Sequence, residues 1–309
     1  MRTLLELIRP ANVVTAFADV LTGLFIAGAL TVVAAPFSGA ELGVWPFEPA
    51  PGVGVDAIAA LLAATFGLYA GGIVLNDYFD RHTDATERPE RPIPSGRIAA
   101  GAAAALGGGL LAAGVVAGFI AGTLPGLIAT GVALCALLYD ARAKHSVLWG
   151  PVFMGLCRSG NLLMGVAIVP ASLSALWFTG LFALLYIPAI TLISRGEVHG
   201  GSPLHGWLAL AMVGLTASAP LLLPTFSGYT LLPALPFLLL FAAMVLPPFT
   251  RAAITSRPEH IRRAVRSGVV SLVLLNALLA AGFGGWPAGL LVALLFPLSA
   301  GLGRLFAVT

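Results

Sequence analysis

The stretch NDYFDRHTDATERPERPIPSGR, residues 76–97, places three of the chain's six aspartates within eight positions of a sequence that is 59% hydrophobic. On a helix, Asn76, Asp80 and Asp84 stand at i, i+4 and i+8, and Asp77 lies three before Asp80, so four oxygen-bearing side chains share one side of two turns. Unpaired carboxylates that close repel one another. A divalent cation removes the repulsion, and Mg2+ is typically held by one or two carboxylates while substrate phosphates and water complete its octahedron. The spacing therefore points to a phosphorylated ligand. Just downstream, Arg88, Arg91 and Arg97 alternate with Pro89, Pro92 and Pro94, which predicts an extended, stiff, helix-free loop carrying bidentate phosphate donors.

Outside this stretch the chain is apolar. Only 9% of its 309 residues are charged and the mean hydropathy is +0.98, which excludes a soluble globular domain and defines an all-α, polytopic membrane protein. The net charge of +3 and a pI near 9.2 do not signal nucleic-acid binding. Fifteen of the sixteen basic residues are arginines scattered over short loops, with no basic stripe. Cys135 and Cys157 have neither CxxC nor Cys/His spacing, so no disulfide framework or zinc site is indicated.

At about 20 apolar residues per span, ten segments are expected, at 11–34, 56–77, 98–119, 122–139, 148–170, 174–193, 206–224, 230–248, 266–283 and 287–306. Residues 1–10 read as an interfacial lead-in helix. Basic residues sort to one side of this arrangement: Arg2 and Arg9, then Arg81 to Arg97, Arg142 and Lys144, Arg195, and Arg251 to Arg266, while the intervening connections contain no Lys or Arg. The positive-inside rule then places the N-terminus and the polar loops on the cytoplasmic face of a bacterial-type inner membrane. Residues 35–55 read as an external loop, and the Gly- and Ala-rich third segment as a closely packed helix.

Polar groups inside spans are costly and mark function by default. Asn12 and Asp19 in the first segment, Tyr69 in the second, and Arg158 and Asn161 in the fifth are the candidates for ligand contact. Tyr69 lies seven residues before Asn76 and so shares its helix face. Arg158 requires an anion, either a bound diphosphate or Asp19.

Asn76-Asp77-x-x-Asp80-x-x-x-Asp84, with Glu87-Arg88-Pro89-x-Arg91-Pro92-Ile93-Pro94-Ser95-Gly96 behind it, resembles the first aspartate-rich motif of the UbiA superfamily of intramembrane prenyltransferases. The resemblance implies a single nine-helix domain over 1–309, with 287–306 as an extra C-terminal helix. It also implies Mg2+ held on an isoprenyl diphosphate by Asp77, Asp80 and Asp84, with Asn76 as a polar neighbour. Arg9-Pro10-x-Asn12 and Tyr139-x-x-x-x-Lys144 resemble family positions too, where the loop lysine contacts diphosphate.

The chain departs from the family where a second aspartate-rich motif belongs. Residues 194–202 read SRGEVHGGS, with Glu197 as the sole acid, flanked by Arg195 and His199. This is similar to a divergent subgroup, the UbiA-like proteins of Ebo-type operons. One metal is lost with Arg195 taking over diphosphate neutralisation, or catalysis itself is lost. The first alternative is Mg2+-dependent prenyl transfer in the membrane to an unknown acceptor, with Glu197 as metal ligand and Glu197, His199 or Asp80 as base. The second is a non-catalytic binder or carrier of prenyl or lipid phosphates.

Overall fold

Val55–Glu87 forms one helix of 33 residues, α3, and its length explains how the aspartates reach their place. At 1.5 Å per residue it runs about 50 Å, against a hydrocarbon core of about 30 Å. Its apolar N-terminal two-thirds can cross the core, and the helix then carries residues 76–87 past it. It stops at Glu87 because Pro89 disfavours helical backbone at Arg88, which takes φ −144°.

The computed structural model describes residues 2–32, 47–198, 200–225 and 227–305. Around α3 stand α1 (Arg2–Ile8), α2 (Pro10–Ile26), α4 (Ala100–Ala121), α5 (Thr123–Ala141), α6 (Trp149–Val166), α7 (Pro170–Leu176), α8 (Gly180–Ser194), α9 (Pro203–Ser218), α10 (Leu231–Thr255), α11 (Pro258–Ala293) and α12 (Leu295–Leu305). Among the described residues, seven helical segments are long and apolar enough to cross a membrane, and the protein is a multi-pass integral membrane protein.

Two further helices, α2 and α6, are too short or too polar for that criterion, and they sit at the centre. One hydrophobic cluster joins them to α3, α4 and α5, another to α8, α9, α10 and α11. Protein thus surrounds their polar residues where lipid would not tolerate them. Gly23 and Gly165 let the two backbones touch: a Cβ on Gly23 would come 2.2 Å from the Leu162 carbonyl oxygen. The expected small-residue packing of α4 is also present, since a Cβ on Gly67 of α3 would fall 2.8 Å from Gly114 Cα.

Three expectations are corrected. The first membrane helix does not reach residue 34. It ends at Ile26, Gly28 takes φ 66°, and the β-branched Thr31 and Val32 favour extended backbone. Leu30–Val32 (β1) pairs antiparallel with Phe47–Pro49 (β2); residues 35–46 of the expected external loop lie outside the described residues. The proline-arginine loop is helix-free but not extended. Successive turns fold it back, with Ser95 N–H donating to Arg91 O at 3.0 Å and Ile98 N–H to Pro92 O at 3.1 Å. The expected break between 266–283 and 287–306 is present at Gly285, but the last expected segment is not one helix, since Leu294 divides it between the end of α11 and α12. A single non-helical residue, Gly285 (φ 79°, ψ 170°), kinks α11, and α12 follows directly to pack on α2, where Ser299 Oγ donates to Ala11 O at 2.9 Å.

Candidate active site

At the end of α3 every motif aspartate meets a cation from another segment. Arg9 Nη2 donates to Asp77 Oδ1 at 2.5 Å. Arg91 Nη1 donates to Asp84 Oδ2 at 2.7 Å and approaches Asp77 Oδ1 at 3.4 Å. Lys144 Nζ donates to Asp80 Oδ1 at 2.5 Å. The repulsion inferred from helical spacing is therefore relieved by three basic side chains, which the folded-back loop, the α1–α2 joint and the segment after α5 deliver to one place. Arg9 occupies that joint in a left-handed conformation (φ 51°, ψ 71°), a cost the surrounding contacts sustain. Burial pulls its guanidinium below the usual arginine range, Asp77 opposes this, and Arg91 and Arg88 reinforce it.

A second strand of contacts joins α3 to α5. Asn76 Nδ2 donates to Asp140 Oδ1 at 2.8 Å, and four residues on from each, Asp80 meets Lys144. The two helices run in parallel there, which sets Asp140 beside Asn76, and the 3-10 turn Ala143–His145 that follows α5 sets Lys144 beside Asp80. Asp140 is 4% exposed. Sequence reasoning singled out Tyr139 and Lys144 but passed over Asp140, although a carboxylate closing an apolar run is itself a signal.

Beneath these groups lies a cavity of about 230 Å³ between α2, α3, α5 and α6. Arg9, Asn12, Asn76, Tyr139 and Asp140 line its polar part; Leu68, Ile73, Val132, Ala136 and Met154 form apolar wall; Thr65, Tyr69 and Asn161 also line it. Behind Tyr69 and Asn161 sits a buried polar network. Arg158 donates to Asp19 Oδ2 at 2.6 Å, to Thr15 Oγ1 at 2.7 Å and to Tyr69 Oη at 3.1 Å, with its guanidinium 4.8 Å from the Tyr69 ring centroid. Asn161 Nδ2 donates to Ala16 O and Asp19 Oδ2, Thr65 Oγ1 donates to Asn161 Oδ1, and Asn276 Nδ2 of α11 donates to Asp19 Oδ1 at 2.8 Å. Of the two anions offered for Arg158, Asp19 is the one that binds it here. Asn276, an amide within an apolar helix, was the network member not anticipated.

The remaining predicted residues stand further out. Arg88 is exposed and Arg97 pairs with Glu6. Arg195 is exposed and donates to Ser146 O at 2.6 Å, reaching the segment that carries Lys144. The Glu197 carbonyl accepts from Arg262 Nη1 at 2.9 Å, and among the described residues none hydrogen-bonds its carboxylate. Burial raises that carboxyl above the usual range, against the pull of Arg262. His199 lies outside the described residues.

The fold and the site together define an intramembrane enzyme that handles an anionic headgroup on an apolar tail. The profile of the UbiA prenyltransferase family matches residues 31–269, and the chain belongs to that family; its activity is prenyl transfer from an isoprenyl diphosphate to a lipophilic acceptor. It is similar to the digeranylgeranylglyceryl phosphate synthase of Methanothermobacter thermautotrophicus, 32% identical over 211 residues that cover 63% of this chain and 73% of the relative. It is also similar to that of Methanothrix thermoacetophila, 34% identical over 216 residues covering 67% of each. Among solved structures, one of a digeranylgeranylglyceryl phosphate synthase superposes with a TM-score of 0.65 at 20% identity, covering 91% of this chain and 97% of that one. A UbiA homologue from Archaeoglobus fulgidus bound to GPP and Mg2+ gives 0.59 at 12% identity, covering 94% and 99%. These structures share the fold.

Proposed function

We propose that this protein transfers a prenyl group, with Mg2+, to a glyceryl phosphate lipid that already carries one prenyl chain. The observation behind this reading is the meeting of three carboxylates, Asp77, Asp80 and Asp84, with Arg9, Arg91 and Lys144 above an apolar-walled cavity, a combination that suits a diphosphate head on a hydrocarbon tail. The relatives' shared name supports the choice of acceptor, since their product is a glyceryl phosphate with two geranylgeranyl groups.

The residues fit Mg2+. Carboxylate oxygens are the hard donors it prefers, and among the described residues no three acids, histidines or cysteines converge on one point, so protein ligands alone would not complete its shell and diphosphate oxygens would. Asp77 and Asp80 would hold it, with Asp84 in support. Bound there, it supplies charge neutralisation of the diphosphate. Arg9, Arg91 and Lys144, already at the carboxylates, bind the same diphosphate oxygens and stabilise the charge that grows as the allylic C–O bond breaks. Asn12 and Asn76 orient the headgroup, and the wall from Leu68 to Met154 holds the first isoprene units and excludes water. Tyr69, which lines the cavity with its ring against Arg158, aligns the tail. Arg195 tethers the Lys144 segment through Ser146, and Glu197 acts from the neighbouring loop. The active-site face is cytoplasmic, and residues 1–309 act as one domain.

Incubating the purified protein in lipid nanodiscs with geranylgeranyl diphosphate, Mg2+ and a glycerol phosphate bearing one geranylgeranyl ether should give the doubly prenylated product. Absence of that product, with transfer to another lipid from a membrane extract, would replace the acceptor in this reading.

A further inference from the structure

We infer that Asp140 is the catalytic base that takes the proton of the acceptor's hydroxyl, so that the cavity beside the Asn76–Asp140 pair is an alcohol-binding subsite. This rests on the proposed transfer to a hydroxyl-bearing lipid and assigns its proton a destination.

The motif aspartates are poor candidates for this task because each already bonds a cation, Arg9, Arg91 or Lys144, and Asp77 and Asp80 are the proposed holders of Mg2+. Asp140 differs. Its Oδ1 is held by the neutral Asn76 amide at 2.8 Å, and among the described residues no group donates to Oδ2. Nor is Oδ2 sealed in the protein interior, since Ser271 Oγ is the only fully enclosed side-chain oxygen or nitrogen without a partner among the described residues. Asp140 lines the cavity, and a role as base gives its unbonded oxygen that opening. The residue is 4% exposed, so a molecule in the cavity is better placed than bulk solvent to meet this unshared acceptor. Tyr139 lines the same cavity, and its hydroxyl has no hydrogen-bond partner among the described residues, leaving a donor free for the acceptor's other oxygens.

The step balances without a further reactant. The acceptor oxygen bonds to the allylic carbon, the C–O bond to diphosphate breaks with its electron pair leaving on the diphosphate, and the hydroxyl proton passes to Asp140 Oδ2. As the products leave, Asp140 passes the proton to solvent and is a carboxylate again.

The test is Asp140→Asn, which keeps an oxygen for Asn76 and removes the basic site. In nanodiscs, geranylgeranyl diphosphate binding with Mg2+ should match wild type, while transfer to the monoprenyl glycerol phosphate should fall at least 100-fold, the usual scale for general-base catalysis. A thiol analogue of the acceptor, ionised near pH 8.5 without help, should lose only a few-fold. If D140N transfers to the alcohol at the wild-type rate, or loses thiol transfer equally, Asp140 is not the base. If it loses diphosphate binding together with transfer, Asp140 only holds Asn76 and the inference is overturned. Failure of the wild-type protein to prenylate the alcohol would instead remove the acceptor assignment, and this base with it.

Discussion

Arg158 of α6 and Asp19 of α2 form a buried ion pair, Nη1 to Oδ2 at 2.6 Å, and both Asp19 oxygens are saturated by donors from α6 and α11. Removing one partner leaves a lone charge among apolar helices. Arg158→Ala should therefore lower stability by about 3–5 kcal/mol, and a double replacement such as Asp19→Leu with Arg158→Met should cost less than the two single changes together. Thermal unfolding in one detergent measures both. An additive double mutant would mean that the pair does not act as a unit.

Mg2+ should tighten binding of geranylgeranyl diphosphate, and Asp77→Asn or Asp80→Asn should abolish that gain while leaving Mg2+-independent binding through Arg9, Arg91 and Lys144 in place. Titration calorimetry with and without EDTA decides it. Equal affinity of the wild type in both conditions would contradict the role given to the carboxylates.

Arg195 reaches Ser146 O at 2.6 Å and so anchors the Lys144 segment. Arg195→Ala should weaken diphosphate binding by about 1.5–3 kcal/mol, the scale of a hydrogen bond to a charged group, with little change in unfolding temperature. Unchanged affinity would reduce Arg195 to loop charge.

Glu197 carries a carboxyl raised by burial, against Arg262. A raised folded-state value means that its contribution to stability is complete below the ordinary glutamate range and is lost as pH rises through the folded value. Glu197→Gln should remove that part of the pH dependence. Stability curves of the two proteins from pH 4 to 7 that run parallel would show that Glu197 is solvated like any surface acid.

Reporter or thiol-accessibility scanning, with Cys135 and Cys157 replaced, should place residues 81–97, 142–146, 195–203 and 251–264 on one face, the cytoplasmic one. Labelling of 195–203 from the opposite side would separate Arg195 and Glu197 from the site.

Much of this protein was legible without its structure. Hydropathy determined a bundle of apolar helices, because hydrocarbon admits little else for a long non-barrel chain, and the spacing of Asn76, Asp77, Asp80 and Asp84 determined a shared helix face that needs positive charge. Glycines in α4 foretold close packing. What periodicity could not supply was partnership, since it says which side chains share a face and nothing about what comes to meet that face. Only the tertiary structure decided that Arg9, Arg91 and Lys144 neutralise the aspartates, that Arg158 belongs to Asp19, and that Asn276 completes that network from more than 250 positions away. Only the parallel register of α3 and α5 brought Asp140 to Asn76, because a carboxylate 64 residues distant becomes part of a site through packing alone.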